Sequence, residues 1–172
     1  MTDEDLAVEA RKELSLRSAR WHIDYLHDLE GAEQLCLALL DVDPDCHDAV
    51  VTLERVYRAN RNAEPLAEVL HQRAQIEDDV PTKVALLTEV AQLCEDELND
   101  AVGAAATWRQ VLDLEPEHAL ALERLTDLYQ QARRFDSLLD VLFRRADIEP
   151  DEQQRVAFLR RAGEILADRM RD

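Results

Sequence analysis

Apolar side chains recur along the chain at intervals of three and four residues, in successive pairs of segments. One pair has apolar positions at Val50, Leu53, Val56 and Tyr57, followed by Leu66, Val69, Leu70 and Ala74. The same stripes return as Leu122, Leu125, Leu128 and Tyr129, followed by Leu138, Val141, Leu142 and Ala146. Because side chains three and four residues apart share one face of an α-helix, each stripe predicts an amphipathic helix.

Followed along the whole chain, this spacing predicts about nine helices. Their expected ranges are 4–28, 31–41, 46–59, 63–77, 81–98, 101–113, 117–131, 134–147 and 151–170. The 172 residues include only 3 Gly and 5 Pro, so few positions break a helix. We therefore expect an all-α chain.

Several helix starts are marked by residue type. Asp28 and Asp100 are expected N-caps, whose side chains accept hydrogen bonds from free backbone N–H groups. Pro44 and Pro116 each follow an acidic residue, and we expect them at first helical positions, where a missing N–H costs nothing.

The chain also repeats itself every 72 residues. When residues 12–100 are placed on residues 84–172 without a gap, 27 of the 89 positions are identical. Each repeat divides at acidic or acidic-Pro sites, which predicts units at about 8–43, 44–77, 78–115 and 116–149, with a terminal helix at 150–172. We expect one continuous stack, whose last helix either caps it or belongs to a longer array. Such stacks present surfaces to other molecules.

Charge is large and unevenly distributed. Residues 1–123 contain 28 acidic and 10 basic side chains, whereas residues 124–172 contain 10 of each, and the net charge is −18. Because this field repels phosphate groups, we expect no binding to nucleic acid or to anionic membranes. The simpler explanation of the negative charge is that the solvent-facing sides of the helices are acidic. The alternative is that the charge attracts a basic partner.

The three cysteines at 36, 46 and 94 are widely spaced and form no Cys-x-x-Cys motif. This spacing indicates no disulfide framework and favours a reducing, cytoplasmic location. The acidic N-terminus lacks the basic start and apolar run of a signal peptide. No stretch approaches the roughly 18 apolar residues of a membrane helix.

The acidic segment 41–48 is the one stretch with the composition of a metal site. A calcium loop starting at Asp41 requires Gly at its sixth place and Glu at its twelfth, where Cys46 and Thr52 stand. Zinc requires more thiolate or imidazole ligands at set spacing. The histidines and serines match no catalytic motif. We therefore expect a non-catalytic protein with no cofactor and no metal.

Segments 31–44 and 103–116 resemble the second helix of a tetratricopeptide repeat. The family places a small residue, a bulky one, an apolar one and a final Pro, matched by Ala32, Cys36, Leu39, Pro44 and by Ala104, Trp108, Val111, Pro116. Its first helix is matched by Val50, Leu53, Tyr57 and by Leu122, Leu125, Tyr129. The resemblance covers nearly the whole chain and implies a right-handed solenoid of antiparallel helix pairs, with Cys36 and Trp108 in the core.

The resemblance further implies a protein-interaction scaffold that binds a peptide or helix of a partner in a groove lined by first helices. The repeat register gives the candidate groove residues Arg17, Trp21, Asp24, Arg55, Arg58, Glu89, Leu93, Asp96, Glu123, Asp127 and Arg161. Trp21 is a candidate binding anchor. The alternative is that it packs against the N-terminal extension, residues 4–12.

Two other functions remain open at this point. The chain could be a structural spacer, or a segment that associates with itself. The doublets Arg133-Arg134, Arg144-Arg145 and Arg160-Arg161 concentrate the basic charge. They could bind an acidic peptide or an acidic part of another copy, or bind RNA. Pairing with acidic side chains of the same chain is the simpler interpretation.

Overall fold

The computed structural model describes the backbone of residues 3–169 and the side chains of residues 9–169. Within this range the chain forms helices joined by turns. They are α1 (Asp3–Trp21), which continues into a π-helical turn (His22–Leu26), α2 (Leu29–Leu40), α3 (His47–Asn60), α4 (Ala63–Ile76), α5 (Val80–Asp96), α6 (Ala101–Leu114), α7 (Ala119–Gln131), α8 (Phe135–Ile148) and α9 (Glu152–Arg169). The all-α prediction is confirmed for the described residues. The boundaries lie within two residues of those expected if the π-helical turn is counted as the end of the first helix, and the expected end at 170 lies outside the described residues.

The helices form two compact units, one ending at Leu93 and the other beginning at Cys94, so the division falls inside α5. In the first unit α1 packs on α2, α2 on α3, and α3 on α4. In the second unit α6 packs on α7, α7 on α8, and α8 on α9. The division into units 8–43, 44–77, 78–115, 116–149 and 150–172 stays a prediction.

The cores consist of the stripes that the apolar spacing predicts. Cys36 and Trp108, expected in the core from the family resemblance, are both fully buried. The indole N–H of Trp108 donates to the Glu95 carboxylate. Tyr57 is also buried, and its hydroxyl donates to Glu33 at 2.9 Å. Each buried polar atom of these aromatic side chains therefore has a partner, as burial requires.

Two helix starts have the expected aspartate caps. The Asp28 side chain accepts a hydrogen bond from the N–H of Gly31 at 2.9 Å. Asp100 accepts one from Gly103 at the same distance, 72 residues later. The repeat therefore reproduces the cap geometry as well as the apolar pattern.

The expectation for two prolines is wrong. Pro44 and Pro116 lie in the turns before α3 and α7 and not at first helical positions. The N–H of Cys46 donates to the C=O of Asp43 at 3.1 Å, which closes a four-residue turn with Pro44 in second place. The ring fixes φ near the value that this turn position requires, so proline favours the turn as readily as a helix start.

Candidate functional site

An exposed apolar cluster stands where α1 ends. Trp21 is 61% exposed, Tyr25 71% and Leu26 59%. The two ring centroids are 5.4 Å apart and the rings are tilted by 52°. We call Trp21, Tyr25 and Leu26 the aromatic cluster. Trp21 is mostly exposed, and the alternative that it packs against residues 4–12 stays a prediction, because the side chains of residues 4–8 lie outside the described residues.

The turn that carries this cluster is held by several hydrogen bonds. The N–H of Asp28 donates to the C=O of His22 at 2.9 Å, and His27 between them adopts a left-handed conformation with φ 53°. His22 Nδ1 lies 2.8 Å from Asp28 Oδ2. The N–H of Gly31, and then His22, hold the pKa of Asp28 below its usual value. One carboxylate therefore caps α2 and fixes the π-helical turn.

Four of the predicted groove residues meet in pairs in the first unit. Asp24 Oδ1 accepts a hydrogen bond from Arg55 Nη2 at 2.9 Å, which joins the π-helical turn to α3. Arg58 Nη2 donates to Glu89 Oε2 at 2.8 Å, which joins α3 to α5. We call these two pairs the ion-pair ladder. Its arginines already have carboxylate partners, so they are not open cation sites.

Glu54, which is not among the predicted groove residues, bonds to one arginine of the ladder. It accepts hydrogen bonds from Arg58 at 3.0 Å and from Arg73 at 2.6 Å. Only 12% of the Glu54 side chain is exposed. The carboxylates of Glu89 and then Glu54 hold the pKa of Arg58 above its usual value.

The remaining candidates are placed separately. In the first unit Arg17 is exposed on α1 and Leu93 is half-buried on α5. In the second unit Asp96, Glu123 and Asp127 are exposed, and Arg161 is half-buried. These lie at the end of α5, on α7 and on α9. The structure thus brings together the candidates between positions 24 and 89, and the role of the others stays a prediction.

The aromatic cluster contains two residues that sequence reasoning missed. Tyr25 lies four positions after Trp21, a spacing at which helical side chains are neighbours. That spacing was the signal available for Tyr25. The signal was weak because the 72-residue register pairs Tyr25 with Glu97, a polar residue.

One arginine of the three Arg-Arg doublets, Arg145, makes contacts within the second unit. The Arg145 guanidinium lies 4.3 Å from the ring centroid of Phe158, and Nη1 is 3.2 Å from the Thr126 hydroxyl. Its contacts therefore join α7, α8 and α9. The expected pairing with acidic side chains is replaced here by a cation–π contact.

The second unit also has an open cavity of about 450 Å³ between α6, α7 and α8. Its polar lining includes Arg109, Asp113, Asp140 and Arg144. Over the described side chains, no three His, Cys, Asp or Glu residues come together as metal ligands would. Within residues 3–169 no helix has the length and apolarity needed to cross a membrane.

Comparison with known proteins identifies the fold. No protein-family model matches the chain, and no curated protein matches it in sequence. Among solved structures it is similar to YrrB, described as a TPR protein with an unusual peptide-binding site, with 14% identity and a TM-score of 0.50 over 98% of this chain and 84% of that one. The chain has a TPR-like fold. The family resemblance is thereby confirmed at the level of the fold.

Two further TPR-like neighbours have lower scores. MamA is 13% identical, covers 94% of each chain and has a TM-score of 0.49. A kinesin light chain from Podosopora anserina with nearly identical TPR-like repeats is 16% identical, covers 100% of each chain and has a TM-score of 0.42. The aromatic cluster lies at the end of α1 and in the π-helical turn, and the ion-pair ladder joins this turn to α3 and α3 to α5.

Proposed function

We propose that this protein is a non-catalytic scaffold that binds a peptide or helix of a partner protein on its first helices. The contact surface consists of the aromatic cluster beside the ion-pair ladder. The observation that carries the proposal is the exposure of Trp21 and Tyr25, at 61% and 71%. Exposed tryptophan and tyrosine are the side chains that most often dominate the binding energy of an interface.

The ladder supports this choice of anchor. Since Arg55 and Arg58 are paired with Asp24 and Glu89, a ligand has to compete with existing ion pairs to bind them. The aromatic cluster needs no such exchange, because covering it removes apolar surface from water. We therefore propose that apolar side chains of the partner supply the affinity and that the ladder sets their orientation.

Charge and cysteine state support a protein partner and a cytoplasmic location. The net charge of −18 supports a protein partner over nucleic acid or an anionic membrane. Free cysteines with no disulfide support a reducing, cytoplasmic location. No cofactor or metal is needed for this function.

The test is quantitative capture of partners from lysate by the wild-type chain and matched variants. The variant Trp21→Ala/Tyr25→Ala removes the anchor, and Val102→Ala removes an exposed apolar side chain of the second unit. A partner of the proposed class is lost about 30-fold from the double variant and kept by the control. Arg55→Glu/Arg58→Glu is expected to weaken capture less. Equal capture by all four chains would show that this surface is not the binding site.

A further inference from the structure

The second unit repeats the packing around the buried carboxylate of the first unit but has a hydroxyl in place of that carboxylate. In the first unit Arg73 of α4 donates to Glu54 of α3, 19 residues earlier, at 2.6 Å. In the second unit Arg145 of α8 donates to the Thr126 hydroxyl of α7, also 19 residues earlier, at 3.2 Å. Position 126 lies 72 residues after position 54, so the two contacts are equivalent in the repeat.

The ion pair beside this contact is replaced as well. In the first unit Arg58 of α3 bonds to both Glu54 and Glu89, and Glu89 lies on α5. The residues that stand 72 positions after Arg58 and Glu89 are Gln130 and Arg161. The network of the first unit therefore has two arginines and two carboxylates, whereas its equivalent in the second unit has two arginines and no carboxylate.

Phe158 brings the two arginines of the second unit together. The Arg145 guanidinium lies 4.3 Å from the Phe158 ring centroid. Arg161 follows Phe158 by three residues on α9, a spacing at which helical side chains are neighbours. Both arginines are half-buried, and among the described side chains neither forms an ion pair with a carboxylate. Two guanidinium charges therefore lie beside one ring with no acidic side chain between them.

The accessibility of position 161 does not depend on the helices that follow it. Glu89 has the same register position on α5, which is followed in the chain by α6 and α7. The Glu89 side chain nevertheless remains 34% exposed while it bonds to Arg58 of α3. A side chain at this position therefore reaches back towards an earlier helix and stays open to a ligand.

We propose that Arg145 and Arg161 bind a carboxylate from an Asp or Glu side chain of a partner protein. Glu54 is the model for this contact, because its carboxylate accepts hydrogen bonds from two arginines, Arg58 and Arg73. Guanidinium groups match carboxylates in charge and in the geometry of their donors. The net charge of −18 repels a polyanion such as RNA far more than it repels a single carboxylate. The partner thus supplies to the second unit the group that the first unit carries itself.

This carboxylate site goes beyond the aromatic cluster, with which it shares no residue. Both of its arginines belong to the second unit, on α8 and α9. Because one acidic side chain is enough to occupy it, a short peptide tests it without the partner that the aromatic cluster binds. Loss of partner capture by the aromatic cluster and loss of carboxylate binding here are therefore distinguishable.

An NMR titration of the whole chain with the peptide acetyl-Gly-Glu-Gly-amide tests the proposal, with acetyl-Gly-Gln-Gly-amide at equal ionic strength as the neutral probe. The Glu peptide is expected to shift the side-chain signals of Arg161 and Gln130 saturably, with a dissociation constant on the order of 1 mM. The Gln peptide is expected to leave these signals unchanged. If the Glu peptide causes no saturable shift up to about 50 mM, the proposal is overturned.

Neighbouring positions provide matched controls. Arg161→Gln is expected to weaken binding of the Glu peptide about tenfold, whereas Arg160→Gln, at the exposed position of the same doublet, is expected to leave it within about twofold. Gln130→Glu places a carboxylate beside Arg161 and is expected to weaken binding to a similar degree. Gln131→Glu makes the same charge change at an exposed site of the same helix and is expected to have no such effect.

Three results contradict the proposal. The first is equal binding by Arg160→Gln and Arg161→Gln, and the second is equal binding by Gln130→Glu and Gln131→Glu. The third is inorganic phosphate that binds at these signals more tightly than the Glu peptide, which overturns the choice of a carboxylate ligand. All four substitutions exchange one good helix former for another, so the fold is kept, as circular dichroism will show.

Discussion

Arg58 joins α3 to α5 by donating to Glu89, 31 residues further along the chain, with Nη2 and Oε2 2.8 Å apart. It also donates to Glu54, four residues earlier, at 3.0 Å. Glu54 in turn accepts from Arg73 of α4 at 2.6 Å. One largely buried carboxylate thus ties Arg58 of α3 to Arg73 of α4.

We expect Glu54→Gln to lower the free energy of unfolding by about 1–2 kcal/mol, since three charge-assisted hydrogen bonds to a largely buried carboxylate are weakened. Glu64→Gln, at an exposed position of α4, is the matched control and changes it by less than about 0.5 kcal/mol. Urea unfolding followed by circular dichroism measures both. Equal effects for the two variants would mean that the network contributes no stability.

The second prediction concerns Gly103 and its cap. A Cβ atom on Gly103 collides with the carboxylate of Asp100, the residue that caps α6. Gly103→Ala therefore displaces the cap and is expected to destabilise the protein by about 1 kcal/mol, although alanine favours a helix. In an Asp100→Ala background the collision is absent, and the same change is expected to be stabilising. If Gly103→Ala is destabilising in both backgrounds, the Asp100 carboxylate is not the reason that position 103 requires glycine.

The third prediction concerns the cysteines. Burial raises the pKa of Cys36 to about 11, and burial also raises that of Cys94. Cys46 is half-exposed. Because the thiolate is the reactive species, we expect one thiol to react rapidly with a disulfide reagent at pH 8 and all three after unfolding. Three equally fast thiols in the native protein would contradict the burial of Cys36.

The shift of Cys36 also gives a pH dependence. Its folded pKa lies above the usual value of 9.0, so the folded state holds this proton more tightly than the unfolded state. The associated stability is present below pH 9 and declines as the pH rises towards 11. The midpoint of urea unfolding is expected to fall over this range, and to fall less in a Cys36→Ala variant. If the urea midpoint falls equally in the wild type and in Cys36→Ala, ionisation of Cys36 does not cause the pH dependence.

Much of the fold could be predicted from the sequence because each local signal agreed with the repeat. The apolar spacing located the helices, and Asp28 and Asp100 were correctly expected as caps. The prolines at 44 and 116 were misplaced because the same fixed φ suits a turn and a helix start. Composition and periodicity do not distinguish a proline in a turn from a proline at a helix start, because the two differ only in the backbone conformation after the proline.

The candidate site could be predicted only in part. The register placed Asp24, Arg55 and Arg58 among first-helix residues, but pairing between helices depends on their packing geometry. Glu54 was missed for this reason. The exposure of Trp21 was also undecided, because a tryptophan at a helix end packs inward or outward according to its neighbours.

The most direct test of the proposed binding surface is acrylamide quenching of Trp21 fluorescence, with and without a saturating partner captured by the wild-type chain. Trp108 is fully buried, so quenching reports mainly on Trp21, and a Trp21→Phe variant supplies the background. The bound partner is expected to cover the aromatic cluster and to reduce the quenching constant several-fold. Unchanged quenching of Trp21 in the saturated complex would show that the partner binds elsewhere and that the first helices of this unit are not the binding surface.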